Sequence, residues 1–317
     1  MNRIAGSMCA AAALAAACIG FWPTAASAQD RMDLHKLADG VYMMQNSRGS
    51  SNAVFVVTDE GVLVFDADIR TADQVLAAIR KTTDKKVRYI ITSHSAADHA
   101  TGMWIYREDH PIYIATRTQM RDLYMQAGAE FTERKNSSRP SDANYKDAEI
   151  VLPNIAFEGA MTLRFGGLTF QLTEEGVAHS TSDVTVYIPQ KRIFLTGDLL
   201  DTEIHPGQGE SAEVFYSNVK NWIGVLDRIM TRRLPVDTYV PGHGPVHIGR
   251  GVADLQEQQR YFVIMRDEVS KMIAAGKTVE QVQAEFKLPA EFAKYQRPER
   301  LKSFLNLFYH QLLETGF

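Results

Sequence analysis

The chain has 317 residues, 45% hydrophobic and 23% charged, with a formal net charge of −4. That length suits one large domain or two fused halves. A mildly acidic balance with no basic run gives no case for nucleic acid as a partner.

The first 28 residues read as a secretory signal. Arg3 supplies the positive start, Ile4 to Phe21 an Ala-rich apolar stretch, and Ala26-Ser27-Ala28 a small-residue cleavage site before Gln29. The apolar stretch is borderline for a membrane anchor, and the cleavage site favours removal. The expectation is a periplasmic or secreted protein with no stable membrane insertion. Attachment through Cys18 as a lipoprotein is disfavoured, because Ala15-Ala16-Ala17 lacks the large aliphatic residue of such sites. Removing 28 of the 317 residues leaves 289, with 33 basic groups against 38 acidic once Arg3 has gone, a net charge of −5. Cys9 and Cys18 leave with the signal. A chain without disulfide or thiolate ligand suits an oxidising compartment.

From Gly40 the pattern is strand-like. "GVYMMQ" and "NAVFVVTDEGVLVFDA" are rich in β-branched and apolar residues, with Asp59-Glu60-Gly61 as a hairpin turn. "TADQVLAAIRKT" carries apolar residues at helical spacing, with Thr71 placed to cap it. "KVRYIITS" reads as a buried strand. A helix is predicted from near His99, carrying Met103, Trp104 and Tyr106, then a strand at "PIYIAT" and a helix at "RTQMRDLYMQAG". Thr132 to Asp147 is polar and reads as a long loop, a substrate lid or an exposed connector. Strands return at "MTLRFGG", "LTFQLTEEG", "DVTVYIPQ" and "RIFLTGD", followed by an amphipathic helix over 211–233 and a strand and turn at "VDTYVPGHGP". From about Gly251 the chain is helical.

Strands and helices thus alternate in two rounds, about 40–150 and 151–317. Two mixed sheets packed face to face, with helices outside, would bury all these runs: an α/β fold of the αββα sandwich type. The expected organisation is a main domain over 29–250 with a helical extension, 251–317, packed on it.

Four of the nine histidines stand in short turns after strands: His94 and His99 in "ITSHSAADHATG", His179 in "EGVAHSTSD" and His243 in "VPGHGP". Asp98 and Asp198 ("IFLTGD") join them. Such turns are where a rigid scaffold presents functional groups, and imidazole with carboxylate is the ligand set of zinc-like ions. His35, His247 and His310 read as solvated residues of helices or turns, and His110 as surface. Trp104 and Tyr106 either line the substrate pocket or, as helical spacing suggests, belong to the core. The loop "QNSRGSSN" is placed to cover the site, and its Gly49 and serines imply mobility.

These residues resemble the metallo-β-lactamase-fold hydrolases over about Asp33 to Val246. The family motif H-x-H-x-D-H falls on His94 to His99, and its later ligands on His179, Asp198 and His243. Asp66, in "VLVFDAD", matches an upstream Asp that supports the site from behind its ligands. The resemblance implies a binuclear zinc centre at the edge of an αββα sandwich, with Asp198 bridging, and a metal-bound hydroxide as nucleophile. Asp98 is the residue expected to serve catalysis directly. Ala96 departs from the motif, since a methyl group cannot ligate. Site one then keeps His94, His179 and Asp198, and site two Asp98, His99, Asp198 and His243. Three outcomes follow. Site one is empty or weak; or water or a nearby group such as His205 fills the gap; or two histidines and one aspartate hold iron as a facial triad. Ala96→His is expected to gain metal at site one.

The expected function is a secreted zinc-dependent hydrolase of a small carbonyl substrate (lactone, ester, thioester or β-lactam). The alternatives are an iron oxygenase on the same fold, an alkyl sulfate or phosphate ester hydrolase, and a ligand-binding protein that has lost its chemistry.

Overall fold

The computed structural model describes residues 31–207 and 217–317. The predicted signal over 1–28 and the start of the predicted amphipathic helix, 211–216, lie outside the described residues. One sheet holds seven strands, hydrogen-bonded in chain order: β1 (Met32–Ala38), β2 (Val41–Asn46), β3 (Ala53–Thr58), β4 (Gly61–Phe65), β5 (Val87–Ile91), β6 (Ile112–Thr116) and β7 (Ile155–Phe157). The other holds five: β8 (Ala160–Phe165), β9 (Leu168–Gly176), β10 (Asp183–Ile188), β11 (Ile193–Asp201) and β12 (Thr238–His243). Both are mixed. The first is antiparallel through β4 and parallel beyond it, and in the second only β11 and β12 run parallel.

The helices are α1 (Ala72–Thr82), α2 (Ala97–Ala100), α3 (Arg117–Asp122), α4 (Gly128–Lys135), α5 (Val219–Thr231), α6 (Ala253–Ala274), α7 (Val279–Glu285) and α8 (Glu299–Thr315). Among the described residues no helix is long and apolar enough to cross a membrane.

The two sheets meet through a core of Val54, Val56, Leu63 and Phe65 from the first and Leu172, Val184, Val186 and Leu195 from the second. The intervening residues of the same strands, Phe55, Val62 and Val64, face outward onto Val75 and Ile79 of α1. Side chains alternate between faces along a strand, so a strand buried on both faces needs apolar residues at nearly every position. The layered αββα sandwich expected from the sequence is the observed architecture. On the far side, Phe194, Leu199 and Tyr239 of β11 and β12 share one apolar cluster with Trp222 of α5, Phe262 of α6 and Phe304 and Phe308 of α8.

Several local expectations are corrected. Thr132–Asp147 is not a structureless loop. The chain continues through α4 and forms a 3₁₀ turn at Pro140–Tyr145, where Phe131 and Tyr145 pack with Ile69 and Ala148. Two buried aromatics suffice to anchor a polar stretch, and Asp142 pairs with Arg134 and Arg139. The helix near His99 is a single turn, after which Gly102–Asp109 winds as 3₁₀ helix. Tyr106 is buried in the core beneath the first sheet, and Trp104 packs against the Phe131–Tyr145 cluster. Thr71 precedes α1 as expected, yet its hydroxyl makes no cap bond. The Asp68 carbonyl accepts the Thr71 and Ala72 N–H groups instead, at 3.0 and 2.7 Å. His35 lies in β1, a strand the charge-rich "MDLHKLA" conceals because only Met32 and Leu37 are buried.

Candidate metal centre

All six predicted ligands reach one end of the sandwich. His94 follows β5, Asp98 and His99 lie on α2, and His179 lies in the turn between β9 and β10. Asp198 sits within β11 and His243 ends β12. Two groups of donor atoms, each mutually within 4.8 Å, are His94–His179–Asp198 and Asp98–His99–His243. The first group holds the residues expected at site one, and the second those expected at site two apart from Asp198. Asp198 stands between them. Its Oδ2 is 3.1 Å from His243 Nε2, 3.3 Å from His179 Nε2 and 3.9 Å from His94 Nε2, and its Oδ1 is 3.1 Å from His99 Nε2.

The far sides of His94, His99 and His243 are held by the scaffold. The Asp66 carboxylate lies 2.9 Å from His99 Nδ1 and accepts the Ser93 N–H at 2.6 Å and the Ser93 hydroxyl at 2.9 Å. Asp66 has φ +64°, an uncommon conformation for a residue with a side chain. The Ser93 hydroxyl also lies 2.9 Å from His94 Nδ1, and the Gly49 carbonyl lies 3.1 Å from His243 Nδ1. Bonds of this kind select the tautomer that leaves the other ring nitrogen facing inward. The loop "QNSRGSSN" therefore touches the site through its backbone, and it is pinned. Asn52 Nδ2 donates to the carbonyls of Pro241 and Gly244, and Ser51 Oγ to that of Asp98.

Charge is arranged to suit a cation. Burial would raise Asp198, but His243, His99 and His179 outweigh it and hold the carboxyl well below its usual range. Asp98 is lowered too: His99 and His243 overcome its burial. Burial pushes His94 well below the ordinary imidazole range and His179 down to about 4. Burial acts the same way on His99, but Asp198, Asp98 and Asp66 reverse it and raise that ring well above the range. A cation among these carboxylates would displace the proton on His99, so binding releases protons.

The donor set fits a metal. Facing the cluster, His94 Nε2, His99 Nε2 and Asp198 Oδ1 are buried without a hydrogen-bond partner although oppositely charged groups surround them, while His243 Nε2 lies at hydrogen-bond distance, 3.1 Å, from Asp198 Oδ2. Buried polar atoms are normally paired, and donors that approach without bonding one another are placed as ligands around an ion. Ala96 is buried and caps α2, with its carbonyl accepting from His99 and Ala100. His205 belongs to none of the donor groups. Its Nδ1 lies 2.8 Å from the Tyr261 hydroxyl, and its ring is tilted against Tyr261 and Tyr295. Burial, with Glu299 opposing and Arg300 assisting, lowers His205 from 6.5 to about 4. The unfolded chain then binds more protons between those values, so stability rises with pH across that window. Urea midpoints are expected to fall as pH drops from about 6.5 to about 4, and to fall less in His205→Asn. Equal slopes for the two proteins would contradict a neutral buried His205.

The sequence matches the Metallo-beta-lactamase superfamily over residues 46–243. This chain belongs to that superfamily. It is similar to the linear primary-alkylsulfatase of Pseudomonas sp. (strain ATCC 19151), 22% identical over 264 residues, which cover 74% of this chain and 50% of the relative. It is also similar to the Metallo-beta-lactamase type 2 of Bacillus cereus, 22% identical over 198 residues, 62% of this chain and 68% of the relative. The chain spans about half the length of the alkylsulfatase. Among solved structures, the stereoselective inverting sec-alkylsulfatase Pisa1 from Pseudomonas sp. has a TM-score of 0.68 and 18% identity, covering 90% of this chain and 50% of that one. The metallo-beta-lactamase from Pontibacter korlensis has a TM-score of 0.59 and 18% identity, covering 74% and 99%. Likeness at this level establishes the fold.

This superfamily member also carries site residues that sequence reasoning missed. Asp201 joins Asp198 and His243 in a third donor group within 4.8 Å. Residues 198 and 201 would face opposite sides of a regular strand. Here β11 advances from Gly197 to Asp201 while β12 advances only from Pro241 to His243, and the irregularity brings both carboxylates to one side. The available signal was an aspartate closing an otherwise apolar run, "TGDLLD". Asp68, paired with Arg70 at 2.5 Å, adds charge beside Asp98.

Proposed function

We propose that this protein is a metal-dependent hydrolase, with zinc as its metal, acting on a small acyl substrate: a lactone, ester, thioester or β-lactam. The observation that carries the reading is the buried cluster of four imidazoles and two carboxylates in which the inward atoms His94 Nε2, His99 Nε2 and Asp198 Oδ1 lack hydrogen-bond partners. His94, His179 and Asp198 would hold one cation, and Asp98, His99, Asp198 and His243 another. A bound divalent cation supplies Lewis acidity, which lowers the pKa of water and stabilises the oxyanion formed on attack. Asp66, Ser93 and the Gly49 carbonyl fix the rings of His99, His94 and His243. Asp98 has 26% of its side chain exposed, against 6% for Asp198. It is thus the carboxylate that meets arriving substrate, and in its ionised form it can accept a proton and pass it to the leaving group.

A second reading, alkyl sulfate hydrolysis, is favoured by one observation. Similarity to the sec-alkylsulfatase covers 90% of this chain, against 74% for the Pontibacter metallo-beta-lactamase. The test is a panel of acyl substrates, alkyl sulfates and phosphate esters, run on zinc-loaded and chelator-treated protein. Zinc-dependent turnover of an acyl substrate is the expected result. Turnover confined to alkyl sulfates moves the assignment to the second reading, and no turnover by metal-loaded protein overturns both. Iron in the purified protein, with oxygen uptake, would replace them with the oxygenase. We further propose export to the periplasm or beyond, which predicts a mature chain beginning at Gln29 on N-terminal sequencing. A chain retaining Met1 in the cytoplasmic fraction would overturn it.

A further inference from the structure

We propose that Asp201 is itself a metal ligand, holding a cation with Asp198 and His243 in a position alternative to the one in which His243 would meet Asp98 and His99. The inference rests on the metal-dependent reading above and concerns a residue outside that motif. One ligand atom each from Asp198, Asp201 and His243 lie within 4.8 Å of one another. Asp201 is 3% exposed, and neither carboxylate oxygen has a hydrogen-bond partner. Among the described residues no arginine, lysine or histidine forms an ion pair with it. A buried carboxylate that is ionised with both oxygens idle is costly unless something charged completes it.

The surroundings point the same way. Asp201 also lines a water-sized, half-open pocket between β11 and α6, in which Arg250 and His247 bond Asp254 Oδ1. Asp254 Oδ2 and Gln258 Nε2, on its wall, are also buried and partnerless. Such groups can hold the water that finishes a cation's coordination, since buried water serves otherwise unsatisfied polar atoms. The strand irregularity that turns Asp201 toward Asp198 is then what supplies the ligand. Two carboxylates and an imidazole suit a divalent cation such as zinc or manganese. The chain lacks a donor at Ala96 on the His94–His179 side and offers an additional one on the Asp198–His243 side.

The test compares full-length, chelator-stripped wild type with Asp201→Asn, a change of charge at nearly constant shape. Zinc is titrated by calorimetry, and thermal unfolding is followed with and without zinc. The variant is expected to bind zinc more than about tenfold more weakly, the scale on which even outer partners of a metal site act. Its zinc-induced rise in Tm should shrink. Its Tm without zinc should hold or increase, because a carboxylate beside Asp198 has been neutralised. Zinc-edge anomalous diffraction should place a peak at coordination distance from an Asp201 oxygen. Unchanged stoichiometry and affinity, or peaks remote from Asp201, overturn the proposal. So does a lower Tm without zinc together with an unchanged zinc response, which would mark a packing role. If wild type itself takes up no zinc, the metal-dependent reading fails as well; if wild type and variant bind it equally, only the role of Asp201 fails.

Discussion

Asp198→Asn is expected to strip the protein of metal and lower kcat/KM by at least about a thousandfold. Lewis-acid stabilisation is worth several kcal/mol of barrier, and about 1.4 kcal/mol corresponds to tenfold in rate. Asp198 touches every imidazole of the cluster, at 3.1 Å from His99 and His243 and 3.3 Å from His179, with His94 at 3.9 Å. The amide matches the carboxylate in shape but carries no charge and turns an acceptor into a donor aimed at those rings. The two sheets do not depend on it, so far-UV circular dichroism should be unchanged. Zinc equivalents and kcat/KM close to wild type would sink the central role given to Asp198.

Gly242→Ala should do comparable harm without touching a ligand. A Cβ there would lie 2.0 Å from Asp198 Oδ1, 2.6 Å from the Gly197 carbonyl carbon and 2.8 Å from the Asp198 nitrogen. Two of these atoms are backbone, and β11 is tied to β12 from Ile193↔Thr238 to Asp201↔His243. Relief requires the strands to part or Asp198 to leave its place. Overpacking of this kind costs roughly 1–3 kcal/mol, occasionally more, and here it is aimed at the centre. The expected outcome is a lower urea midpoint and reduced zinc content. Gly224→Ala is the control. Gly224 lies in α5 and a Cβ there meets only Arg228 Nη1 at 3.8 Å, so helix propensity should stabilise that variant by up to about 1 kcal/mol. A wild-type midpoint and zinc content in Gly242→Ala would refute the steric argument.

Much of this protein is legible in one dimension. Strands buried on both faces are apolar almost throughout, so "NAVFVV" and "GVLVF" announce β3 and β4 without a partner in view. The ligands are legible for a related reason. The candidate ligands stand at or just past the ends of such runs in the sequence, where a polar residue has no evident packing role. Legibility fails where few residues carry the burial. β1 anchors itself by Met32 and Leu37 alone, and the 128–145 region by Phe131 and Tyr145. Neither pattern rises above a polar background.

The sequence by itself determined the layer order, the six candidate ligands and the gap at Ala96, because each is written in local residue type and spacing. Only the tertiary structure decided how the centre is completed. It set His205 against Tyr261 and away from the ligands, and fastened the Gly49 loop to His243. It also let β11 slip against β12 so that Asp201 turns toward Asp198. Each of these depends on which strand lies beside which and on a shift of register between them. Pairing of that kind joins residues tens of positions apart, and no spacing along the chain records it.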